Sequence, residues 1–255
     1  MRNIRLIAKL EIKPPNLVKG IQFEGLRKLG DPNEFAKKYY NDGVDEIIYD
    51  DIVASLYERN SLEKIIEETS KNLFIPITVS GGIRSIENIN SALRSGADKV
   101  AINTAAIKDS SIIKKMSDRF GSSTIVLSLQ AKKVGNSWEA YYDNGRERSF
   151  LNAIDWVKCA EDNGIGEILV TSIDNDGVAK GFDIDLVNTI MKNVSVPVIA
   201  SGGMGKLDDI DNLISSTSVD AIAFARCLHY NQLTIGQIRD FCISKKHPIR
   251  KIKNI

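Results

Sequence analysis

The sequence predicts an α/β fold: a single (β/α)8 barrel made of two (β/α)4 half-barrels, occupying residues 1–255 as one domain. Three observations predict it. Short apolar runs alternate with amphipathic stretches along all 255 residues. There are eight such runs, the number that closes a parallel sheet at about this chain length. Two separate segments also recur at one offset: Gly43–Asp51 (GVDEIIYDD) parallels Gly164–Ser172 (GIGEILVTS), and Ile75–Ile83 (IPITVSGGI) parallels Val196–Met204 (VPVIASGGM), 121 residues apart in both cases. A repeat near half the chain length implies a duplicated four-strand unit, which on its own would leave open sheet edges. No Pro/Ser-rich linker interrupts the pattern.

Taken in order, the expected strands are Arg5–Ile12, Glu46–Asp51, Ile75–Ser80, Lys99–Ile102, Ile125–Gln130, Glu167–Ser172, Val196–Ser201 and Ala221–Ala225. The first follows from MRNIRLIAKLEIK, whose apolar and charged residues alternate as in a strand and not as in a signal peptide. Helices are expected at Asp31–Asn41, Ser61–Asn72, Ile86–Ser95, Asp109–Phe120, Asn152–Asn163, Asp183–Asn193 and Leu207–Ser215. Several open on Ser, Asp or Asn, side chains that accept bonds from the free N–H groups of a first turn. SWEAYYDNGRE, with Asn144-Gly145 as its turn, reads as a hairpin after strand five. The basic stretch from Lys245 to Lys253 reads as the solvated end of a terminal helix rather than a nucleic-acid patch.

Composition excludes several classes. With 34 Lys+Arg against 33 Asp+Glu, the net charge of +1 argues against a nucleic-acid or membrane-surface protein. No apolar run approaches the roughly 18 residues of a membrane span. Cys159, Cys227 and Cys242 lack CxxC spacing and only His229 and His247 accompany them, so neither a zinc site nor a disulfide framework is expected. No metal or cofactor is implied, and a cytoplasmic setting is the default.

Active sites of such barrels lie at the C-terminal ends of the strands. There, Ser80-Gly81-Gly82 and Ser201-Gly202-Gly203 follow strands three and seven. Glycine turns bring backbone N–H groups close to an anion, so the symmetric pair suggests one phosphate site on each side of the mouth.

The stretches LVKGIQFEGLRKLGDP, DEIIYDDIVAS, ITVSGGI, GADKVAINTAA, GEILVTSIDNDG and VIASGGMGK resemble, from end to end, the cyclase subunit of imidazole glycerol phosphate synthase. That family takes ammonia from a glutaminase subunit through the barrel and closes an imidazole ring on a bis-phosphorylated substrate. The resemblance implies phosphate contacts from Gly81, Gly82, Asn103 and Thr104 in one half, and from Gly177, Ser201, Gly202 and Gly203 in the other. It implies a substrate contact from Lys19 and polar roles for Asp51, Thr171 and Asp176. Arg226 stands where the family places a phosphate-binding Ser after strand eight, and a guanidinium binds phosphate by a bidentate fork.

Two departures fall on the family's catalytic aspartates, whose positions hold Glu11 and Gln130. Glutamine does not titrate, so Gln130 hydrogen-bonds but transfers no proton. Glu11 keeps a carboxylate on a longer stem, and a displacement of about 1 Å costs on the order of 10²-fold in rate. Strand alternation puts Arg5, Ile7, Lys9 and Glu11 on one face, so Lys9 is expected in the lumen, paired with Glu11. At the opposite end, the family's ring of four charged residues, through which ammonia enters, is matched by Arg5, Glu46, Lys99 and Glu167. Asp98 matches a family contact to the glutaminase.

The expectation drawn from this asymmetry is a barrel that conducts ammonia and whose own ring-closing activity is lost or weak. It would dock a class I glutaminase on its N-terminal face and supply a third protein, a sugar amidotransferase of surface-polysaccharide synthesis. The alternative is the histidine-pathway cyclase itself, with Glu11 as base and Gln130 orienting the substrate.

Overall fold

A computed structural model of the chain describes residues 3–54 and 62–252. Eight parallel strands close into a barrel: β1 (Arg5–Lys13), β4 (Glu46–Asp51), β5 (Ile77–Ser80), β6 (Lys99–Ile102), β7 (Ile125–Val134), β10 (Glu167–Ser172), β11 (Val198–Ser201) and β12 (Ala221–Phe224). Each pairs in parallel with the next, and β12 returns to β1 with Arg5 opposite Ala221. The predicted barrel is therefore present. Two strands begin two residues later than expected, because Pro76 and Pro197 have no N–H for the ladder. Their carbonyls still accept from Ile47 and Ile168, each at 3.0 Å.

Two antiparallel hairpins extend the sheet beyond the mouth. One, β2 (Asn16–Ile21) with β3 (Glu24–Gly30), continues β1, and the other, β8 (Ser137–Tyr142) with β9 (Glu147–Asn152), continues β7. They start at residues 16 and 137, so the offset of 121 extends to the hairpins. The second was expected; the first was not, since LVKGIQFEGLRKLG lacks an Asn-Gly turn. Its turn instead places Gln22 and Phe23 at φ of 50° and 65°, conformations costly for non-glycine residues and held by the packing of Phe23.

The helices cover the barrel from outside. Asp31 caps Pro32–Asn41 with a bond from Asn33 N–H at 2.7 Å, proline occupying the first turn where no N–H is needed. Asn152 caps Ala153–Asp162, and Asp183 caps Ile184–Met191 through Leu186 N–H at 3.0 Å. The helix expected from Ser61 runs Glu63–Ser70, with Leu62 ahead of its first turn; Ser61 itself lies outside the described residues. The expected helix from Asp109 runs Ser111–Phe120, preceded by a short turn of helix at Thr104–Lys108. Apolar faces of helices and strands form one continuous shell of core, with Leu6, Leu10, Tyr39, Tyr49, Trp156 and Phe224 among its large members.

The tail is not the end of a helix. The last helix, Ile235–Ser244, stops, and the chain turns across the barrel floor, where Ile249 bridges Ile4. Arg239 and Arg250 both reach Asp45, at 3.0 and 2.8 Å, and Arg239 also donates to the carbonyls of Gly43 and Arg250. Beyond the helix, Lys245 and His247 reach Asp211 and Arg250 reaches Asp45, while Lys245, Lys246 and Arg250 stay exposed; Lys253 lies outside the described residues.

Candidate active site in the barrel lumen and mouth

Alternation along each strand sorts the lumen into layers. The lowest holds Arg5, Glu46, Lys99 and Glu167. Arg5 reaches Glu46 at 2.7 Å and also bonds Glu167, while Lys99 reaches Glu167 at 2.9 Å and Glu46 at 3.4 Å. Each cation thus lies between the two carboxylates. Burial opposes ionisation of Glu167, but Arg5 and Lys99 outweigh it and hold the carboxyl below its ordinary value. Burial likewise opposes the charge of Arg5, and Glu167 and Glu46 outweigh that, raising it.

Asp98 beside this ring is exposed, and its carboxylate accepts from Ile77 N–H at 2.8 Å. Asp45 and Asp220 do the same for Leu6 and Val198 at 2.8 and 3.0 Å. An aspartate before one strand thereby satisfies the opening N–H of its neighbour, a structural use that Asp98 shares.

Above the ring lies an apolar layer: Ile7, Ile48, Ala101, Val126, Leu169, Ile199, Ala221 and Ala223. Above that is a buried cluster of five formal charges. Lys19 donates to Glu11 at 2.6 Å and to Asp176 at 2.9 Å. Lys9 lies 3.1 Å from Asp50 and 3.7 Å from Glu11. The expected lumen position of Lys9 is thus present, but its nearer partner is Asp50, and the nearest cation to Glu11 is Lys19. The reason is register: Asp50 stands directly across β1 from Glu11, and from there its carboxylate meets the Lys9 ammonium more closely than Glu11 does. Burial pushes the Glu11 carboxyl above its ordinary value; Lys19 draws it down and Asp176 raises it again. Burial opposes the charge of both lysines, yet the carboxylates around them raise both.

Sequence reasoning placed Asp51 at the site and missed its neighbour Asp50. The signal was present: Glu46, Ile48 and Asp50 alternate onto the lumen face, while Asp51, one residue on, borders the cavity at the mouth. The Asp51 carboxylate accepts from Val53 N–H at 3.1 Å, closing a turn after the strand.

The two SGG turns face each other across the mouth. On one side Gly81, Gly82, Asn103, Thr104 and Gln130 line a cavity of about 310 Å³, joined by Asp50, Asp51, Arg84 and Lys108. Asn103 donates to Gln130 Oε1 at 3.1 Å and to the Tyr141 carbonyl at 3.0 Å, and Thr104 accepts from Asp143 N–H, so the second hairpin is latched to this rim. On the other side Gly177, Ser201, Gly202, Gly203, Lys19 and Arg226 line a tighter cleft of about 20 Å³. Thr171, the penultimate residue of β10 and opposite Ser201 in the sheet, is buried. Glycine is required at both turns. At Gly81, with φ +89°, a Cβ would lie 2.2 Å from the Asp51 carbonyl oxygen, and at Gly203, with φ +111°, 2.0 Å from that of Gly181.

Between the two sides the first hairpin folds over the centre. Phe23 packs on Tyr141 and Ile173, and the Lys9 ammonium lies 5.7 Å from its ring. Gln22 N–H bonds the Asp176 carbonyl at 2.9 Å, tying this cap to the loop after β10.

Cys227 and His229 stay outside the lumen. His229 meets Tyr39 Oη at 2.7 Å and the Lys9 carbonyl at 3.1 Å. A carbonyl only accepts, so Nε2 carries the proton and Nδ1 accepts from Tyr39. Both nitrogens are occupied. No helix is long and apolar enough to cross a membrane among the described residues.

The family model described as "Histidine biosynthesis protein" matches residues 5–234. The chain is 55% identical over 212 residues, 83% of its length and all of the relative's, to "Imidazole glycerol phosphate synthase subunit HisF" of Legionella pneumophila. It is 40% identical over 250 residues to the protein of that name from Dehalococcoides mccartyi, covering 98% and 99% of the two chains. With the Pyrococcus furiosus protein of that name it shares 42% over 246 residues, 96% and 98% of the chains. These names overturn the expectation of a conduit serving a sugar amidotransferase in surface-polysaccharide synthesis and favour the cyclase alternative. The changes at Glu11 and Gln130 are two positions against a likeness that runs the whole length. Closed by the same repeated half-barrels that carry its two facing glycine turns, and matched from β1 to beyond β12, the chain belongs to the histidine biosynthesis protein family and, within it, to the imidazole glycerol phosphate synthase subunit HisF group.

Proposed function

We propose that this barrel is the cyclase subunit of an imidazole glycerol phosphate synthase, closing an imidazole ring on a bis-phosphorylated substrate with ammonia as nitrogen donor. The observation that carries the reading is 40% identity over 98% of the chain to a protein bearing that subunit's name. The geometry fits it. One phosphate would sit on Gly81, Gly82, Asn103 and Thr104, the other on Gly177, Ser201, Gly202 and Gly203, with Arg226 adding a guanidinium where it lines the cleft beside Lys19. Glu11 is the carboxylate that exchanges protons, and Lys19, bonded to it, contacts the substrate. Gln130 orients the ligand: Asn103 takes its oxygen, leaving the amide N–H groups to donate. Asp51, Thr171 and Asp176 complete the polar surround.

Ammonia would come from a class I glutaminase docked on the N-terminal face, where Asp98 is exposed. It would enter at Arg5, Glu46, Lys99 and Glu167 and cross the apolar layer as the neutral molecule. The test is direct: purified chain, bis-phosphorylated substrate and an ammonium salt. Ring-closed product forming in proportion to enzyme supports the reading; no product above background, with or without the glutaminase, overturns it.

A further inference from the structure

Ring closure with ammonia moves more than one proton, and Gln130 moves none. The mouth therefore needs a second titratable group besides Glu11, on the side where Gln130 stands. Asp50 meets that need by position. The residue is 5% exposed, lines the 310 Å³ cavity with Gln130 and Asn103, and lies on the lumen face of β4. Its Oδ2 is buried, with the Lys9 ammonium 3.1 Å away as its ion-pair partner. A carboxylate oxygen has more than one acceptor site, so Lys9 leaves room for a ligand proton. Glu11, by contrast, has its Oε1 taken by Lys19 and is not among the residues lining that cavity.

Resting on the cyclase reading above, we propose that Asp50 is the second proton-transfer carboxylate of this active site, with Lys9 as its positioning partner. Ammonia adds its lone pair to a carbonyl carbon of the substrate, forming the carbon–nitrogen bond as the carbonyl electron pair moves onto oxygen. Asp50 Oδ2 takes one proton from the added nitrogen and becomes the acid. It returns that proton to the oxygen, giving a hydroxyl; a second proton, taken from the nitrogen by the same carboxylate and passed to that hydroxyl, lets it leave as water as the carbon–nitrogen double bond forms. No oxidant or further reactant is needed. Lys9, Glu11, Lys19 and Asp176 are the other charged groups of the cluster that holds Asp50, and Asp51, Arg84 and Lys108 those lining its cavity.

The experiment measures the pH dependence of kcat and KM with ammonium as donor, for the unaltered chain, Asp50→Asn, Asp50→Glu and the double variant Lys9→Met/Asp50→Leu. The double variant removes both charges and leaves no unpaired ammonium, so it separates folding from chemistry. Expected is a fall in kcat on the order of 10²-fold or more in both Asp50→Asn and the double variant, within the range of general acid–base effects. KM should change less than threefold, one limb of the pH profile should vanish, and Asp50→Glu should restore part of both. If the double variant regains the unaltered kcat, or if Asp50→Asn keeps both rate and profile, Asp50 transfers no proton and the proposal falls. An unaltered chain inactive at every pH would instead bring down the cyclase reading, and this inference with it.

Discussion

Replacing Lys19 with methionine tests the reasoning about the buried cluster at its centre. Lys19 is 1% exposed and holds both Glu11 and Asp176, at 2.6 and 2.9 Å. Without it, three carboxylates (Glu11, Asp50 and Asp176) share the single ammonium of Lys9. Removing one partner of a buried pair costs about 3–5 kcal/mol. Proton uptake limits that cost. Neutralising one carboxylate of ordinary pKa near 4.3 costs about 3.7 kcal/mol at pH 7 and about 1.6 kcal/mol at pH 5.5. The sign follows: in the variant a folded-state carboxyl lies above its unfolded value, so the folded form binds the extra proton. Stability is then retained at low pH and lost as pH rises. Urea unfolding of both proteins at pH 5.5, 7 and 8 should give a destabilisation of roughly 1.5–2 kcal/mol at the lowest pH, growing by about 1.4 kcal/mol per unit until the folded carboxyl ionises. A destabilisation that does not vary with pH, or that stays under about 1 kcal/mol at pH 7, would refute the picture of a charge cluster sealed from water.

Burial holds the His229 imidazole at about 3, with the Lys19 charge adding to the effect. The unfolded chain takes up a proton below about pH 6.5 that the folded chain refuses, so His229 removes about 1.4 kcal/mol of stability per pH unit as pH falls through that window; His229→Gln should show a shallower loss between pH 6.5 and 5, and equal slopes would count against it. Gly81→Ala should destabilise by about 1–3 kcal/mol from backbone strain alone, and weaken inorganic phosphate binding, read by thermal shift. Gly25→Ala, at φ +63° with nothing within 4 Å of its Cβ, should cost less; similar losses in both would argue that space at Gly81 is not the issue. With a glutaminase partner present, Lys99→Met should lower glutamine-driven product relative to ammonium-driven product, because Glu46 and Glu167 then share Arg5 alone; an unchanged ratio would speak against a metering floor.

The barrel was legible because its rules are periodic. Alternation put Arg5, Ile7, Lys9 and Glu11 on one face without any structure, and the offset of 121 located both glycine turns. What escaped depended on pairing between distant strands. Asp50 could be assigned to the lumen by counting from Glu46, but its partnership with Lys9 follows from the β1–β4 register, with Glu11 opposite Asp50. The first hairpin escaped because its turn is held by Phe23 packing on Tyr141 and Ile173, contacts made through another half-barrel. The basic tail was read correctly as solvated at Lys245 and Lys246, but its later course escaped for a similar reason: Arg250 meets Asp45 on the floor, a contact made across the barrel. Function was misjudged by giving two substitutions more weight than full-length likeness.

The charge layers along the barrel axis set which orientation an elongated molecule anionic at both ends would take at the mouth. At the floor two cations cancel two anions. Under the mouth, three carboxylates outnumber two ammoniums by one. At the rim Arg84 and Lys108 stand on one side and Arg226 on the other. Such a field, repulsive to anions on the axis and attractive at two opposite edges, favours a molecule anionic at both tips lying across the opening like a beam over one standing down the shaft.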